Sequence, residues 1–567
     1  MRGMKMKVLL VGINAKYYHT NLAIRNIKKF CQPYDIEIFE ATINDSTDYM
    51  LESVTEKKPD VVGISCYIWN IEIALNLAEN VKKILPNVVM VLGGPEASYD
   101  VENLLSKGFV DYVVIGEGEI AFKELLEALE GKKDLKEVPG IGYKVEEEIV
   151  IQPQKYYVNL DEVPIGYDEE EDLSDKLVYY ETSRGCPFKC AYCLSSIDNV
   201  LRYESLEKVE KDLKWFANKN VKILKLVDRS FNANRKRARE ILSIMKRIEG
   251  EMVFHCEVNP ELVNEEFISE LEDLKGRIQF EVGVQTTNKV TLRKISRTTA
   301  VEMALKGIEL LKKAGIKLHV DLIAGLPEDS LKTFSKAFDD VYNLKPEEIQ
   351  LGFLKILKGT PLAKKVGEFG IVYDSKPPYE VLYTKDISYE ELVILKGIAF
   401  LIDKYYNSGK FLKTLEYLEK YFKRPFDLYF EFYRYWKENK LFYKNHSLKA
   451  LYNILYDFSV KNIGLEENII KDLLKFDFLY STNAKDLPDC VKEKDKKIPD
   501  LFRDYLKNEE WLKQNLPQAV GLSSLELSKR VSYAFFEYDV TENLMKKDLI
   551  IIFLHSEKKT YLAKIEL

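Results

Sequence analysis

An uninterrupted apolar run of about 18 residues, the minimum for a membrane span, is missing from the chain. The best stretches, residues 393–401 and 549–555, are far too short, which excludes a spanning helix. Val8-Leu9-Leu10-Val11-Gly12 is followed at once by Asn14 and Lys16, with no longer apolar core or small-residue cleavage site. No signal peptide is expected, and a cytoplasmic location is. Cysteine is scarce and odd in number, seven in 567 residues, and three of the seven crowd into residues 186–193. That excludes a disulfide framework and points to reduced thiols and a metal site. A basic field is absent too, since 84 Lys and Arg stand against 91 Asp and Glu for a net charge of -7. Nucleic acid is therefore not an expected partner. There is no repeat of fixed period, and no G-x-G-x-x-G follows the first apolar run, which argues against a dinucleotide.

What is present is a globular composition, 46% hydrophobic and 31% charged. At about 150 residues per domain the chain has room for three or four domains. Apolar runs at residues 7–12, 36–40, 61–65, 88–93 and 112–115 alternate with helix-period segments, the pattern of an open, doubly wound α/β domain over residues 1–135. Residues 136–175 read as a linker with small strands, including a hairpin around 145–150 and an acidic run at 168–172. A second alternation, with strands expected at 177–182, 223–228, 252–258, 278–285, 318–325 and 349–356, predicts a partial (βα)6 barrel of the TIM type over residues 176–375. Residues 376–567 read as a separate α+β, mostly helical domain that ends in three strands. Phe426, Tyr429, Phe430, Tyr433 and Trp436 fall there at helical spacing beside Arg424 and Arg434. Such a stripe could stack on nucleobases, but core packing explains it better.

The run Thr182-Ser183-Arg184-Gly185-Cys186-Pro187-Phe188-Lys189-Cys190-Ala191-Tyr192-Cys193 puts three thiolates on one short loop, directly after the first expected barrel strand. Three ligands on a four-iron cube leave one iron open, where the amino and carboxylate groups of S-adenosylmethionine (SAM) can chelate. The competing reading is a zinc site completed by Cys256, although only one half of a paired knuckle is present. His255 and His319 lie on apolar strands, where packed, hydrogen-bonded histidines are commoner than ligands.

The C-x3-C-x2-C loop, with Tyr192 before its last cysteine, resembles that of the radical-SAM superfamily, and the resemblance extends over residues 177–356. It implies a 4Fe-4S cluster on Cys186, Cys190 and Cys193, and a SAM site drawing on Tyr192, Asp228, Glu257, Gln285, Asp321 and Ala324. Within that set, Asp228 stands in the segment that holds the SAM amino group. Glu257, Gln285 and the His319-Val320-Asp321-Leu322-Ile323-Ala324 strand resemble the ribose-binding and adenine-backing segments. Any one of these carboxylates, taken alone, reads equally well as a satisfied group of the barrel rim.

In an open α/β sheet ligands bind beyond the carboxyl ends of the strands, and those ends here are small or polar. Gly63-Ile64-Ser65-Cys66-Tyr67-Ile68-Trp69-Asn70, Leu92-Gly93-Gly94-Pro95-Glu96 and Gly116-Glu117-Gly118-Glu119 resemble the Rossmann-like cobalamin-binding domain that precedes the barrel in one branch of radical-SAM enzymes. The resemblance implies cobalamin held by Asn14, His19, Ser65, Tyr67, Trp69, Asn70, Gly93, Gly94, Pro95, Glu96, Gly116, Glu117 and Glu119. The D-x-H-x-x-G motif that supplies a histidine to cobalt is absent, and an empty domain is the competing reading. His19, in the loop after the first strand, is the domain's sole histidine; a cobalt without protein nitrogen is favoured over His19 as its ligand.

Taken together, the resemblance implies an enzyme that cleaves SAM reductively to a 5′-deoxyadenosyl radical and methylates an unactivated carbon of a small molecule or peptide. A flavodoxin or ferredoxin is the implied electron donor. Ring formation or rearrangement assisted by cobalamin, without methyl transfer, is the alternative chemistry. A cobalamin-binding sensor with a vestigial cluster is the alternative from outside enzymology.

Overall fold

A computed structural model describes residues 6–197, 200–297, 300–484, 486–492, 505–556 and 559–567. Residues 1–5, the start of the stretch in which a signal peptide was sought, lie outside them. The chain divides into two compact units, residues 1–337 with 352–392 and residues 338–351 with 393–567.

The first unit opens with a seven-stranded sheet of order β2-β1-β3-β4-β5-β6-β7, made of β1 Val8–Asn14, β2 Ile36–Thr42, β3 Val61–Ser65, β4 Val89–Gly93, β5 Tyr112–Val114, β6 Ile141–Val145 and β7 Glu148–Gln152. The first five strands run parallel. Every residue of β1 is buried, because helices cover both faces: Leu9 and Val11 join one core cluster, Val8 and Leu10 the other. This is the doubly wound sheet expected from the alternation.

The expected linker is different from its sequence reading. Its hairpin, β6 and β7, continues the first sheet antiparallel to β5, so that β5 is not an exposed edge. The acidic run that follows is pinned to the helix Leu22–Phe30, where Glu171 pairs with Arg25 at 2.8 Å and Asp168 with Lys28 at 3.0 Å.

The barrel strands are β8 Leu177–Tyr180, β11 Ile223–Leu226, β12 Val253–Val258, β13 Ile278–Gln285, β14 Lys317–Ala324 and β15 Glu348–Phe353, in sheet order β15-β14-β13-β12-β11-β8. Between β8 and β11 lies a short antiparallel ribbon of β9 Ser183–Arg184 and β10 Arg202–Tyr203. Alternate residues of β12, β13 and β14 are buried on one face, which leaves His255, Glu257, Glu281 and Asp321 on the other, polar face. Residues 372–383, on which the expected domain boundary at 376 falls, belong to this first unit: Val372–Tyr373 pairs with Val381–Tyr383, and the Val381 amide donates to the Leu354 carbonyl at 2.9 Å.

The second unit is helical, with a three-stranded antiparallel sheet made of Val531–Tyr538, Lys546–His555 and Thr560–Glu566. Its aromatic stripe is core: Phe426, Tyr429, Phe432, Tyr433 and Trp436 of the helix Pro425–Glu438 are buried, and Arg424 and Arg434 point outward to Asp427 and Glu431. The stripe does not form a nucleobase platform.

Candidate cluster and cofactor site

The loop from Gly185 to Cys193 is set by its anchors. Gly185 has φ +89°, and a Cβ there would lie 2.5 Å from the Val200 carbonyl oxygen, so the turn into Cys186 requires glycine. The Ala191 amide donates to the Ile295 carbonyl at 2.8 Å, and its own carbonyl accepts from Leu362 at 2.9 Å. The Cys193 amide donates to the Cys190 carbonyl at 3.1 Å. These bonds gather Cys186, Cys190 and Cys193 on the wall of one cavity of about 570 Å³, at the carboxyl ends of the barrel strands and within the range of small-molecule sites.

Burial pushes the Cys186 and Cys190 thiols up, and neighbouring thiolates add to it; Arg297 pulls Cys190 back. Buried thiols of this kind give up their protons readily only to a strongly charged centre, and three thiols on one loop are the donor set of a cluster. Among the described residues no three Cys, His, Asp or Glu side chains converge on the position of a single ion. Cys256 is fully buried and alternates with His255 and Glu257, so it faces the helices and not the cavity. The zinc reading, which needs Cys256 as fourth ligand, is therefore not supported by the fold.

Tyr192, Glu257, Gln285 and Asp321 line the same cavity as the thiols. Gln285 Oε1 is buried with no hydrogen-bond partner among the described residues, and Asp321 Oδ1 has His319 Nε2 at 3.3 Å; both residues line the cavity, where such acceptors can serve donors on a ligand. Glu257 is pushed up to about 7 by burial, with Arg229 opposing and Glu281 reinforcing the shift. Glu281 is held down at about 2: burial works against this, but His255 at 3.2 Å and Lys225 at 2.7 Å overcome it.

Two expected SAM residues stand apart. Asp228 is 2% exposed, and its carboxylate accepts from the Thr182 amide at 2.9 Å, the Thr182 hydroxyl at 2.7 Å and the Ser183 hydroxyl, so it braces the start of the cluster loop. Ala324 is fully buried, and its carbonyl is taken by the Leu354 amide. Sequence reasoning missed Arg229 and Arg297, which line the cavity; neither position carried a local signal.

The residues expected at cobalamin divide by whether their polar groups are already engaged. Asn14 donates to the His19 carbonyl and to Glu40, Ser65 accepts from Asn21, and Asn70 donates to the Ile13 and Ser65 carbonyls. Glu96 accepts from the Tyr379 hydroxyl at 2.8 Å. Glu117 and Glu119 pair with Arg202 and Arg184. What remains is aromatic faces and bare backbone: Tyr67 and Trp69 stack with centroids 4.4 Å apart, Trp69 is 44% exposed, Gly93 ends β4 with Gly94 and Pro95 after it, and Gly116 follows β5. At Gly94, φ +97°, a Cβ would meet the Cys66 carbonyl oxygen at 2.7 Å. A planar macrocycle suits such a surface of aromatic faces and bare backbone.

His19 is already engaged by its neighbours. Its Nδ1 lies 2.5 Å from the Tyr179 hydroxyl, its ring stacks on Tyr18 at 4.5 Å, and its backbone bridges to Leu177 of β8. The loop after β1 thus bridges to the first barrel strand, and His19 lies against it. Burial, with Lys16 and Lys225 nearby, lowers its basicity.

Comparison with known proteins matches three family descriptions in succession: B12 binding domain over residues 8–126, Radical SAM superfamily over residues 180–341, and Protein of unknown function (DUF4080) over residues 367–553. The cobalamin-dependent radical SAM methyltransferase TokK of Streptomyces tokunonensis is 25% identical over 438 residues, 72% of this chain and 63% of TokK. The uncharacterized methyltransferase PH0819 of Pyrococcus horikoshii is 27% identical over 311 residues, 53% of this chain and 68% of that protein. Matches thus span about two thirds of these relatives' length. The solved structure of the cobalamin-dependent S-adenosylmethionine radical enzyme OxsB with aqua-cobalamin bound shares the fold, with a TM-score of 0.63 at 16% identity over 90% of this chain and 84% of that one. The chain thus carries a B12-binding domain ahead of a radical SAM domain, the domain order of the cobalamin-dependent radical SAM enzymes it is similar to.

Proposed function

We propose that this protein methylates an unactivated carbon of a small molecule or peptide, in the cytoplasm, with electrons from a flavodoxin or ferredoxin. The observation that carries the reading is one cavity on which Cys186, Cys190, Cys193, Tyr192, Glu257, Gln285 and Asp321 converge. When bound, the cluster, SAM and cobalamin supply the radical that removes hydrogen and the methyl group that replaces it. The chain's own part is to bind and position. Cys186, Cys190 and Cys193 hold the cluster; Glu257, Gln285 and Asp321 offer acceptors to the hydroxyl and amino groups of SAM; the Tyr67–Trp69 pair and the Gly93-Gly94 bend receive the corrin. The test is an anaerobic turnover with reconstituted cluster, cobalamin and reductant. It should yield 5′-deoxyadenosine, S-adenosylhomocysteine and a product heavier by one methylene unit; 5′-deoxyadenosine with no methylated product would instead favour rearrangement or ring formation.

A pH dependence follows from Glu257. Its carboxyl is raised to about 7, so below that pH it is largely protonated, while the ionised form is the better acceptor for ribose hydroxyls. SAM affinity measured by titration should rise with pH, by up to about tenfold per unit below pH 7, and level off above it. Glu257→Gln should flatten this profile and weaken SAM by about 1.5–3 kcal/mol without loss of iron. An unchanged profile would make Glu257 structural.

The position of His19 gives a spectroscopic prediction. EPR of the Co(II) form should show cobalt lines without triplet splitting from an axial nitrogen, in wild type and His19→Ala alike. Triplets that disappear in His19→Ala would establish a protein ligand.

A further inference from the structure

Arg184 is the residue from which the cluster loop departs, two positions before Cys186. Its guanidinium forks between two parts of the fold. Nε donates to both oxygens of Glu181 at 3.0 Å, and Nη2 donates to Glu181 again at 2.7 Å. The same group makes a bidentate pair with Glu119, Nη2 at 2.5 Å and Nη1 at 3.2 Å, and Nη1 lies 3.5 Å from Glu117. Glu117 is in turn held by Arg202, the residue opposite Arg184 in the β9–β10 ribbon. Glu119 is almost wholly buried, with 5% of its side chain exposed, so the pair is not a solvated surface contact.

The two glutamates sit in Gly116-Glu117-Gly118-Glu119, the strand-end loop after β5 and the start of the helix Gly118–Leu129. One short segment therefore forms part of the cofactor face of the first sheet and also grips the base of the cluster loop. An Arg–carboxylate fork is rigid and directional, and a displacement of either loop breaks it. Resting on the function proposed above, we propose that the Arg184–Glu119 tie couples the two cofactor sites, so that loading the cluster tightens cobalamin binding and loading cobalamin steadies the cluster loop by the same factor. Reciprocity is required of any such coupling. Arg184 is thus a positioning residue, since it does not line the cavity of the three cysteines.

The experiment titrates hydroxocobalamin by absorbance into the anaerobic full-length protein, with and without a reconstituted cluster. In the wild type the cluster-loaded form should bind at least about fivefold more tightly, the lower end of ordinary coupling. In Arg184→Met the ratio of the two affinities should fall to about one. Glu119→Gln reaches the tie from the other side while Arg184 keeps Glu181 and Glu117, so it guards against a misfolded first variant, and its ratio should fall as well. A residue that only stabilises the fold would lower both affinities and preserve their ratio, so an unchanged ratio in both variants overturns the coupling. Equal affinities in the wild type overturn it too, while leaving both cofactors bound and the function intact. Failure of cobalamin to bind either form overturns the functional reading and the coupling with it.

Discussion

Replacing Cys186, Cys190 and Cys193 together by alanine should lower bound iron from about four per chain to almost none, and should reduce 5′-deoxyadenosine formation by at least about a thousandfold, to the limit of detection. The effect is this large because all three thiols line one cavity and the other cysteines of the first unit do not: Cys256 is buried on the opposite face of its strand, and Cys31 and Cys66 are not part of the cavity wall. No other cysteine among the described residues lines that cavity. Stability should fall by much less, about 1–2 kcal/mol, since the loop is tied by backbone bonds at Ala191 and Cys193 that do not involve sulfur. Iron and sulfide analysis after anaerobic reconstitution checks the first claim and thermal unfolding the second. A triple variant with a full complement of iron would mean that other residues hold the cluster.

The second large effect is expected in the C-terminal unit, where Trp436→Ala should cost about 3–5 kcal/mol. Trp436 is fully buried, with Phe442 and His446 each 5.2 Å away between ring centroids, Phe400 at 5.5 Å and Phe432 at 6.1 Å. Truncation to alanine removes the largest side chain of that cluster, and close-packed rings relax poorly into the space left behind. Denaturant unfolding followed by near-ultraviolet circular dichroism measures the loss. A cost below about 1 kcal/mol would mean that the aromatic stripe is not core, and would reopen its reading as a binding face.

Much of the fold was legible from local pattern. The β1 strand reads as six apolar or small residues before Asn14 because both of its faces are covered, and β13 alternates because one face meets helices and the other the polar interior. The hairpin at β6 and β7 was visible as a hairpin, yet its membership of the first sheet was not. Whether such a hairpin stands alone or covers an edge depends on which strand edge the folded chain leaves open, and residues 141–152 carry no record of that.

The site divides along the same line. Spacing alone brings Cys186, Cys190 and Cys193 to one loop, since residues so close in sequence cannot be far apart in space, and strand ends fix Glu257, Gln285 and Asp321 at one rim of the barrel. The sequence by itself therefore determined the succession of a B12-binding part, a radical SAM part and a C-terminal part, and the gathering of the three expected cluster cysteines on one loop. Tertiary structure alone decided what each polar side chain does there. Glu119 at a strand end is equally suited to a ligand's amide or to a guanidinium, and its partner Arg184 lies 65 residues away; His19 reads as a loop histidine until Tyr179, 160 residues on, closes on it. A carboxylate or an imidazole must be satisfied when buried, but its residue type does not say by whom, because only the packing of distant strand-end loops brings the donor within 3 Å or so.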